Sequence, residues 1–256
     1  MPKPLRYAQA LRYNRQIVLP QIDLEGQERW QQARVLVIGI GGLGCSAAQQ
    51  LCSSGIGHLT LVDEDIVEVT NLPRQCLYNN QQIGMRKVQA ARDRLYTINP
   101  ECTIQTLSKR ADDGLLQALI PDHDIVLDCT DNLQSRETIN AVCYQHATPL
   151  VSGAAIRFEG QLMLVDPTQS SACYGCLSAL MQPSDLSCTE AGIFSPVVNM
   201  VGTQQAHIAL LYLINQSPTQ AAVLHTYDGR SMQWAQFTIP TNQHCPVCQG
   251  KQKENT

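Results

Sequence analysis

Two Cys-x-x-Cys pairs, Cys173-Tyr-Gly-Cys176 and Cys245-Pro-Val-Cys248, have the spacing that lets both thiolates of a pair reach one tetrahedral ion. Together the pairs fill all four positions and leave none for a substrate, so the chemistry they suggest is a structural zinc staple. Such a staple ties the tail of the chain back to the region around residue 173. A redox role is the alternative that the spacing allows, but two matched pairs, one with Pro246 shaping its turn, favour the metal.

A second group lies upstream. Gly39-Ile-Gly41-Gly42-Leu-Gly44 directly follows the apolar run Arg34-Val-Leu-Val-Ile38 and leads into a helical pattern. Glycines so placed allow a tight turn, close approach of backbone to phosphate, and helix packing on a sheet. Some nineteen residues further on, Asp63 ends the next strand-like run, where a carboxylate accepts hydrogen bonds from ribose hydroxyls; a solvated acid in Asp63-Glu-Asp65 is the plainer reading.

Up to that point NAD and ATP fit equally well. Asn71-Leu-Pro-Arg74-Gln75, then Lys87, then Asp128-Cys-Thr-Asp131-Asn132 separate them, because each falls at or beside the carboxyl edge of the expected sheet. Hydride transfer has little use for so much charge. A triphosphate does: Arg74 and Lys87 offset charge on a departing pyrophosphate, and an aspartate of the last motif can hold a Mg²⁺ ion on phosphate oxygens. Taken singly, Arg74 and Lys87 read as surface charges, and Asp131-Asn132 as a cap for the helix that follows.

The elements needed to hold these residues are legible as an alternation. Strands are expected at 34–38, 58–62, near 103–107, at 124–128 and at Leu150-Val151, with helices at 45–54, 84–96, near 112–119 and at 133–146. That order predicts an α/β fold of Rossmann-like type: a mostly parallel sheet with helices on both faces. After Ser152 the pattern changes. Strands at 161–165 and within 224–237, separated by a helix over 197–214, are expected to run antiparallel, while 183–187 reads as an exposed loop and 251–256 as a frayed end. No repeat or linker divides the chain, so one domain is expected: an N-terminal segment (1–32), a nucleotide-binding core (33–155) and a zinc-bound region (156–250).

Bulk properties narrow the partners. The chain has 256 residues, 44% of them hydrophobic, and a formal charge of −4 with its basic residues scattered. These values argue against a nucleic-acid or anionic-membrane surface. No signal-peptide pattern opens the chain, and the apolar run 197–214 is interrupted by Asn199, Gln204, Gln205 and His207, so a buried helix in a cytoplasmic protein is expected. Of the 11 cysteines, Cys45, Cys52, Cys129 and Cys143 sit in patterns where a small apolar side chain packs well, and Cys76 and Cys102 carry no readable signal.

Taken in order, the motifs resemble the MoeB/ThiF group of adenylyltransferases, which is similar to ubiquitin-activating enzymes, over nearly the whole chain. Leu11-Arg-Tyr-Asn-Arg15-Gln16, Gly26-Gln27, the glycine turn, Asn71 to Gln75, Lys87, Leu127 to Asn132, Arg136, Ser152-Gly-Ala-Ala155 and both cysteine pairs carry it. The resemblance implies adenylylation of the C-terminal glycine of a ubiquitin-like sulfur carrier, with ATP as the co-substrate, Mg²⁺ as a cofactor at the site and Zn²⁺ held structurally. It places Gly42 on the nucleotide, Asp63 on ribose, Arg74 and Lys87 on phosphates and Asp131 on Mg²⁺. It also implies a homodimer in which Arg15 reaches the neighbouring subunit's site, a carrier-binding role for 156–250, and a separate sulfur donor.

In the same group a cysteine at the position of Cys188 can join the carrier covalently; here the residue lies in the polar stretch 186–192, with no His or Lys close in sequence to activate it. Pro73 departs from the pattern, standing where the group usually has Gln. Tyr227 to Trp234 and Gly160 to Met163 resemble the thiamine branch, whose carrier is ThiS-like, whereas Ser152 to Gly160 and Arg12 to Arg15 resemble the molybdopterin branch, whose carrier is MoaD-like; the thiamine carrier is the expectation. A nicotinamide-dependent oxidoreductase and a zinc scaffold without catalysis are the competing classes, and Arg74, Lys87 and Asp131 speak against both.

Overall fold

In a computed structural model, residues 4–169, 171–181 and 191–249 are described. Five strands, β1 (Arg34–Ile38), β2 (His58–Val62), β3 (Thr103–Leu107), β4 (Ile125–Asp128) and β5 (Leu150–Ile156), form the parallel part of one sheet. Three more, β6 (Glu159–Val165), β7 (Val223–Asp228) and β8 (Gln233–Thr238), extend it antiparallel, in the order β3-β2-β1-β4-β5-β6-β7-β8. The α/β class, the mostly parallel sheet and the later antiparallel strands agree with the sequence reading.

Why the first strands are so legible follows from their burial. Along β1, Val35 and Val37 enter one apolar cluster and Leu36 and Ile38 the other, so both faces are covered and the strand reads as a continuous β-branched and aliphatic run. On the first face lie α3 (Asp23–Gln32), α4 (Gly42–Ser54), α5 (Lys87–Ile98) and a long helix, Ser195–Leu213. The second face is covered by α6 (Asp113–Leu119), α7 (Leu133–Gln145) and α8 (Tyr174–Ser178), the last of which opens at Cys173. Two short helices, α1 (Tyr7–Arg12) and α2 (Asn14–Ile17), precede these.

Three expected boundaries are corrected. The helix expected from Gly84 begins at Lys87, because Gly84 has a φ of +88° and residues 84–86 turn back on the loop after β2: Gly84 N–H donates to the Val67 carbonyl at 2.8 Å, and Lys87 N–H to that of Asp65 at 3.0 Å. The strand expected at Leu150-Val151 runs on to Ile156, since every residue from 150 to 156 finds a partner on β6. Within 224–237 there are two strands, joined by a turn at 229–232, and all of β8 is exposed at the sheet edge. Cys45, Cys52, Cys129 and Cys143 are buried as expected; Cys102 is buried too, and Cys76 is exposed.

Among the described residues no helix is long and apolar enough to cross a membrane. The long helix instead rests on α4 and β5 inside the fold, and Trp30 on α3 donates its indole N–H to the Leu210 carbonyl at 2.7 Å. Gln205 replaces the membrane-incompatible polarity with satisfied bonds: its Nε2 donates to the carbonyls of Asp128 (2.7 Å) and Val151 (3.1 Å).

Candidate functional site

The carboxyl ends of β1, β2, β3 and β4 open onto one cavity of about 810 Å³, and each strand delivers residues to it. From β1 come Gly39, Gly41 and Gly42; from β2, Asp63, Glu64 and Asp65; from β3, Lys109 and Arg110; from β4, Thr130, Asp131 and Asn132. Asn71, Arg74 and Gln75, on the loop after β2, and Lys87, the first residue of α5, complete the polar wall. Gly44 does not line the space. Its role is in the turn: a β-carbon there would stand 1.9 Å from the Gly39 carbonyl oxygen, so only glycine lets α4 begin so close to the strand. Gly39, at φ +86°, makes the left-handed bend that precedes it.

Asp63 is more than a rim acid. Its Oδ2 accepts the Ile40 N–H at 2.7 Å and its Oδ1 the Asp65 N–H at 2.9 Å, which ties the ends of β1 and β2 together. Burial pushes its carboxyl above the usual carboxylate range, with Lys87 and the two backbone donors pulling the other way. The solvated-loop reading does not describe it.

Lys87 is 7% exposed, and its Nζ stands 2.7 Å from Asp65 Oδ2. This is no surface charge. The Arg74 guanidinium donates to the Thr70 carbonyl at 2.8 Å, and Asn71, 6% exposed, accepts the Glu68 N–H at 3.0 Å, so the loop that carries both is closed on itself. Asn132 does cap α7, accepting the Ser135 N–H at 2.9 Å, while Asp131 beside it is exposed toward the cavity. Behind them Asp128 is fully buried; its carboxylate accepts from Thr130 (Oγ1 at 2.7 Å, N–H at 3.0 Å) and from Ser152 Oγ (3.0 Å). Burial pushes its carboxyl up, opposed first by Arg136 and then by those bonds.

Such a cavity has the parts for an anhydride of phosphate: a glycine turn at a helix start, several cations, Arg74 and Lys87 among them, and an exposed carboxylate for a hard cation with oxygen ligands. It lacks a nucleophilic thiol among its described residues, because burial pushes Cys129 in its wall and Cys45 behind it far up, away from the thiolate. Cys188 lies outside the described residues. Arg15 is exposed on α2 and does not line the cavity of its own chain.

Sequence reading passed over Lys109 and Arg110, although they follow β3 at its carboxyl end and obey the same positional rule that picked out Asp63 and Asp131. Gln75 carries no signal of its own beyond its place in the run from Asn71 to Gln75. Asp65 was visible in the acidic run, but its partner Lys87 lies 22 residues away and no local spacing announces the pair.

On the opposite face of the sheet the four cysteines meet. All are buried, and their sulfurs lie within 4.8 Å of one another. Cys173 and Cys245 are 3.6 Å apart, Cys176 and Cys248 3.4 Å. A tetrahedral zinc with four thiolates needs sulfur separations of about 3.8 Å, so the set fits the ion. Asn140 Nδ2 is directed at the Cys173 sulfur (3.5 Å) and the Asn242 N–H at that of Cys176 (3.3 Å), as donors around a thiolate cluster are. Zinc bound here would join α8 to the segment after β8.

The model of the ThiF family matches residues 13–247. A molybdopterin-synthase adenylyltransferase of Salmonella typhimurium is 44% identical over 238 residues, covering 93% of this chain and 96% of that protein. The sulfur carrier protein ThiS adenylyltransferase of Escherichia coli is 40% identical over 240 residues, 94% of this chain and 95% of that one. Among solved structures, PaaA superposes with a TM-score of 0.79 at 23% identity, covering 93% of this chain and 76% of its own. Escherichia coli MccB with ATP gives 0.76 at 22% identity, over 87% of this chain and 68% of that one. At such identities the two structures speak for the fold.

Proposed function

Because this chain belongs to the ThiF family, we propose that it adenylylates the C-terminal glycine of a ubiquitin-like sulfur carrier protein with ATP, preparing it for thiocarboxylate formation. The observation that carries the reading is the convergence of Gly39 to Gly42, Asp63, Arg74, Lys87 and Asp131 on one cavity.

The reaction joins two anions. A carboxylate oxygen of the carrier's last residue forms a bond to the α-phosphorus, the bond from that phosphorus to the bridging oxygen of pyrophosphate breaks, and the electron pair leaves with the pyrophosphate. The glycine turn admits the triphosphate to the start of α4, whose backbone N–H groups favour negative charge. Asp63 accepts from the ribose, with lone pairs left over beyond those that hold Ile40 and Asp65. Arg74 and Lys87 offset the charge gathering on the leaving group, Lys87 turning from Asp65 toward phosphate. Asp131 and Asn132 would hold a magnesium ion, which would draw charge off the phosphates. Most of the rate comes from alignment, since carboxylate and α-phosphorus must meet in line.

Arg15 enters the reading from a second copy of the chain. Exposed on α2 and away from its own cavity, it is free to reach that of a neighbour, so the catalytic unit is taken to be a homodimer. Sulfur arrives from a separate donor. Cys188, in the role of an attachment point for the carrier, remains part of the proposal.

For the carrier, Tyr227 to Trp234 supports a ThiS-like protein; that stretch forms the turn end of the β7–β8 hairpin, where the two rings meet at a tilt of 40° with centroids 4.8 Å apart. A MoaD-like protein is the second reading, favoured by identity along the whole chain, 44% against 40%. The experiment is exchange of labelled pyrophosphate into ATP, run side by side with the two carriers. Exchange with the ThiS-like carrier alone supports the first reading and with the MoaD-like carrier alone the second; silence with both, in zinc-loaded protein, contradicts adenylylation.

A further inference from the structure

Gln75 stands in the cavity wall without a task in the fold. The residue is 2% exposed, its backbone N–H is used by the Asn71 carbonyl at 3.0 Å, and its side-chain Oε1 is buried with no hydrogen-bond partner among the described residues. Its Nε2 lies 3.9 Å from the place a β-carbon on Gly41 would take, so the carboxamide sits over the glycine turn, directly after Arg74. A buried amide oxygen that has given up water without gaining a donor costs stability. The donor must be a water or part of a ligand.

Most of what the site receives cannot supply one. Phosphate oxygens and the attacking carboxylate are acceptors, as Oε1 is. Ribose hydroxyls are drawn to Asp63 at the end of β2, whereas the 71–75 loop lies toward the long helix: Ser195 Oγ donates to the Pro73 carbonyl at 2.6 Å, and a β-carbon on Gly42, against the Arg74 carbonyl at 3.3 Å, would press on Val198 at 2.9 Å. Three donors remain: the amino group of the adenine, a water, and the N–H of a peptide. The peptide fits the chemistry better, because the N–H of a C-terminal residue is joined through one carbon to the carboxylate that must be aimed.

We propose that the Gln75 carboxamide reads the last peptide group of the carrier's tail, its Oε1 accepting the N–H of the terminal glycine and so setting the carboxylate beside the α-phosphate. This rests on the adenylylation reading. Gln75 is then a specificity residue of a kind that charge cannot provide: Arg74 and Lys87 attract any anion, whereas an amide oxygen favours a tail that offers it a donor, as a secondary amide does. Holding the N–H also fixes the rotation of the nucleophile, which is where alignment is gained.

The test uses the carrier with which the unaltered enzyme supports pyrophosphate exchange; absence of exchange with both carriers would sink the adenylylation reading before this one is reached. Gln75→Met keeps the shape and removes both polar ends. Mg-ATP binding without carrier, by calorimetry, is expected within about twofold of the unaltered protein, and KM for the carrier is expected to rise about tenfold or more. A semisynthetic carrier ending in N-methylglycine, which lacks the N–H, should raise KM on the unaltered enzyme by a similar factor and cost the Met variant nothing further. Unchanged KM with the N-methyl carrier overturns the proposal even if the Met variant fails to fold. So does a weakened Mg-ATP affinity or a shifted Mg²⁺ dependence in that variant, which would give the amide to the nucleotide or to its metal, and so do independent, multiplying effects of the two changes.

Discussion

Lys87 Nζ and Asp65 Oδ2 are 2.7 Å apart at the mouth of the cavity, with the lysine side chain 8% exposed and the aspartate 62%. The pair holds a cation inside the wall at a point where phosphate is proposed to bind, and it gives that cation a partner until phosphate arrives. In the proposed function the lysine is the functional member. Lys87→Ala is expected to lower the rate of pyrophosphate exchange by about 10²-fold or more, the usual effect of removing one donor from developing charge. Asp65→Asn should leave the exchange rate within about tenfold, since it removes only the resting partner, exposed enough to be worth little. Equal losses in the two variants, measured side by side, would contradict the assignment.

Complementation tests the shared site. An Arg15→Ala chain mixed with an Asp131→Ala chain gives hybrid dimers in which one cavity of the two has both residues intact. With free exchange of subunits, recovery of about a quarter of the unaltered activity is expected, from half the dimers being hybrid and half their sites whole. If subunit exchange is demonstrated by differently tagged chains and the mixture stays inactive, Arg15 does not act across an interface.

Metal content tests the cysteine cluster. Purified protein should carry zinc in a one-to-one ratio with the chain, held by the sulfurs of Cys173, Cys176, Cys245 and Cys248. Cys245→Ser combined with Cys248→Ser should lose the metal and lower Tm by more than about 5 °C, because the segment after β8 is then no longer fastened to α8. A metal-free protein of unchanged Tm would show the pairs to be something other than a staple.

Asp128 gives stability a pH signature. Burial raises the carboxyl in the folded protein above its ordinary value of 3.8, so between that value and the raised one the folded chain binds more protons than the unfolded chain. Stability from this residue is therefore fully present below pH 3.8 and is lost as pH rises through the folded value. Urea unfolding across that window should show Asp128→Asn gaining on the unaltered protein as pH rises. A difference between the two that is flat in pH, or of opposite slope, would contradict the burial argument.

Much of this was readable from residues alone, and the reason is local. Strands β1 and β2 have the bounds that their apolar runs suggested, because both faces of the sheet are covered there and the glycine turn marks where β1 ends. Legibility failed where a partner far off in sequence decides. Residues 84–86 leave the helix they resemble in order to pair with 65–67, and the small residues of 152–156, which have no periodicity, become strand because β6 accepts them. The same holds at the site: Asp63, Arg74, Lys87 and Asp131 announce themselves by type and place, whereas the Lys87–Asp65 pair and the solitary oxygen of Gln75 exist only once the loop after β2 has folded over the glycine turn.

The most direct measurement is a structure of the protein with magnesium and a non-hydrolysable ATP analogue. The account predicts phosphates at the glycine turn, within hydrogen-bond reach of Arg74 and Lys87, the ion against Asp131, and Lys87 turned away from Asp65. A triphosphate bound elsewhere, or bound here with Arg74, Lys87 and Asp131 all facing away from it, would contradict it.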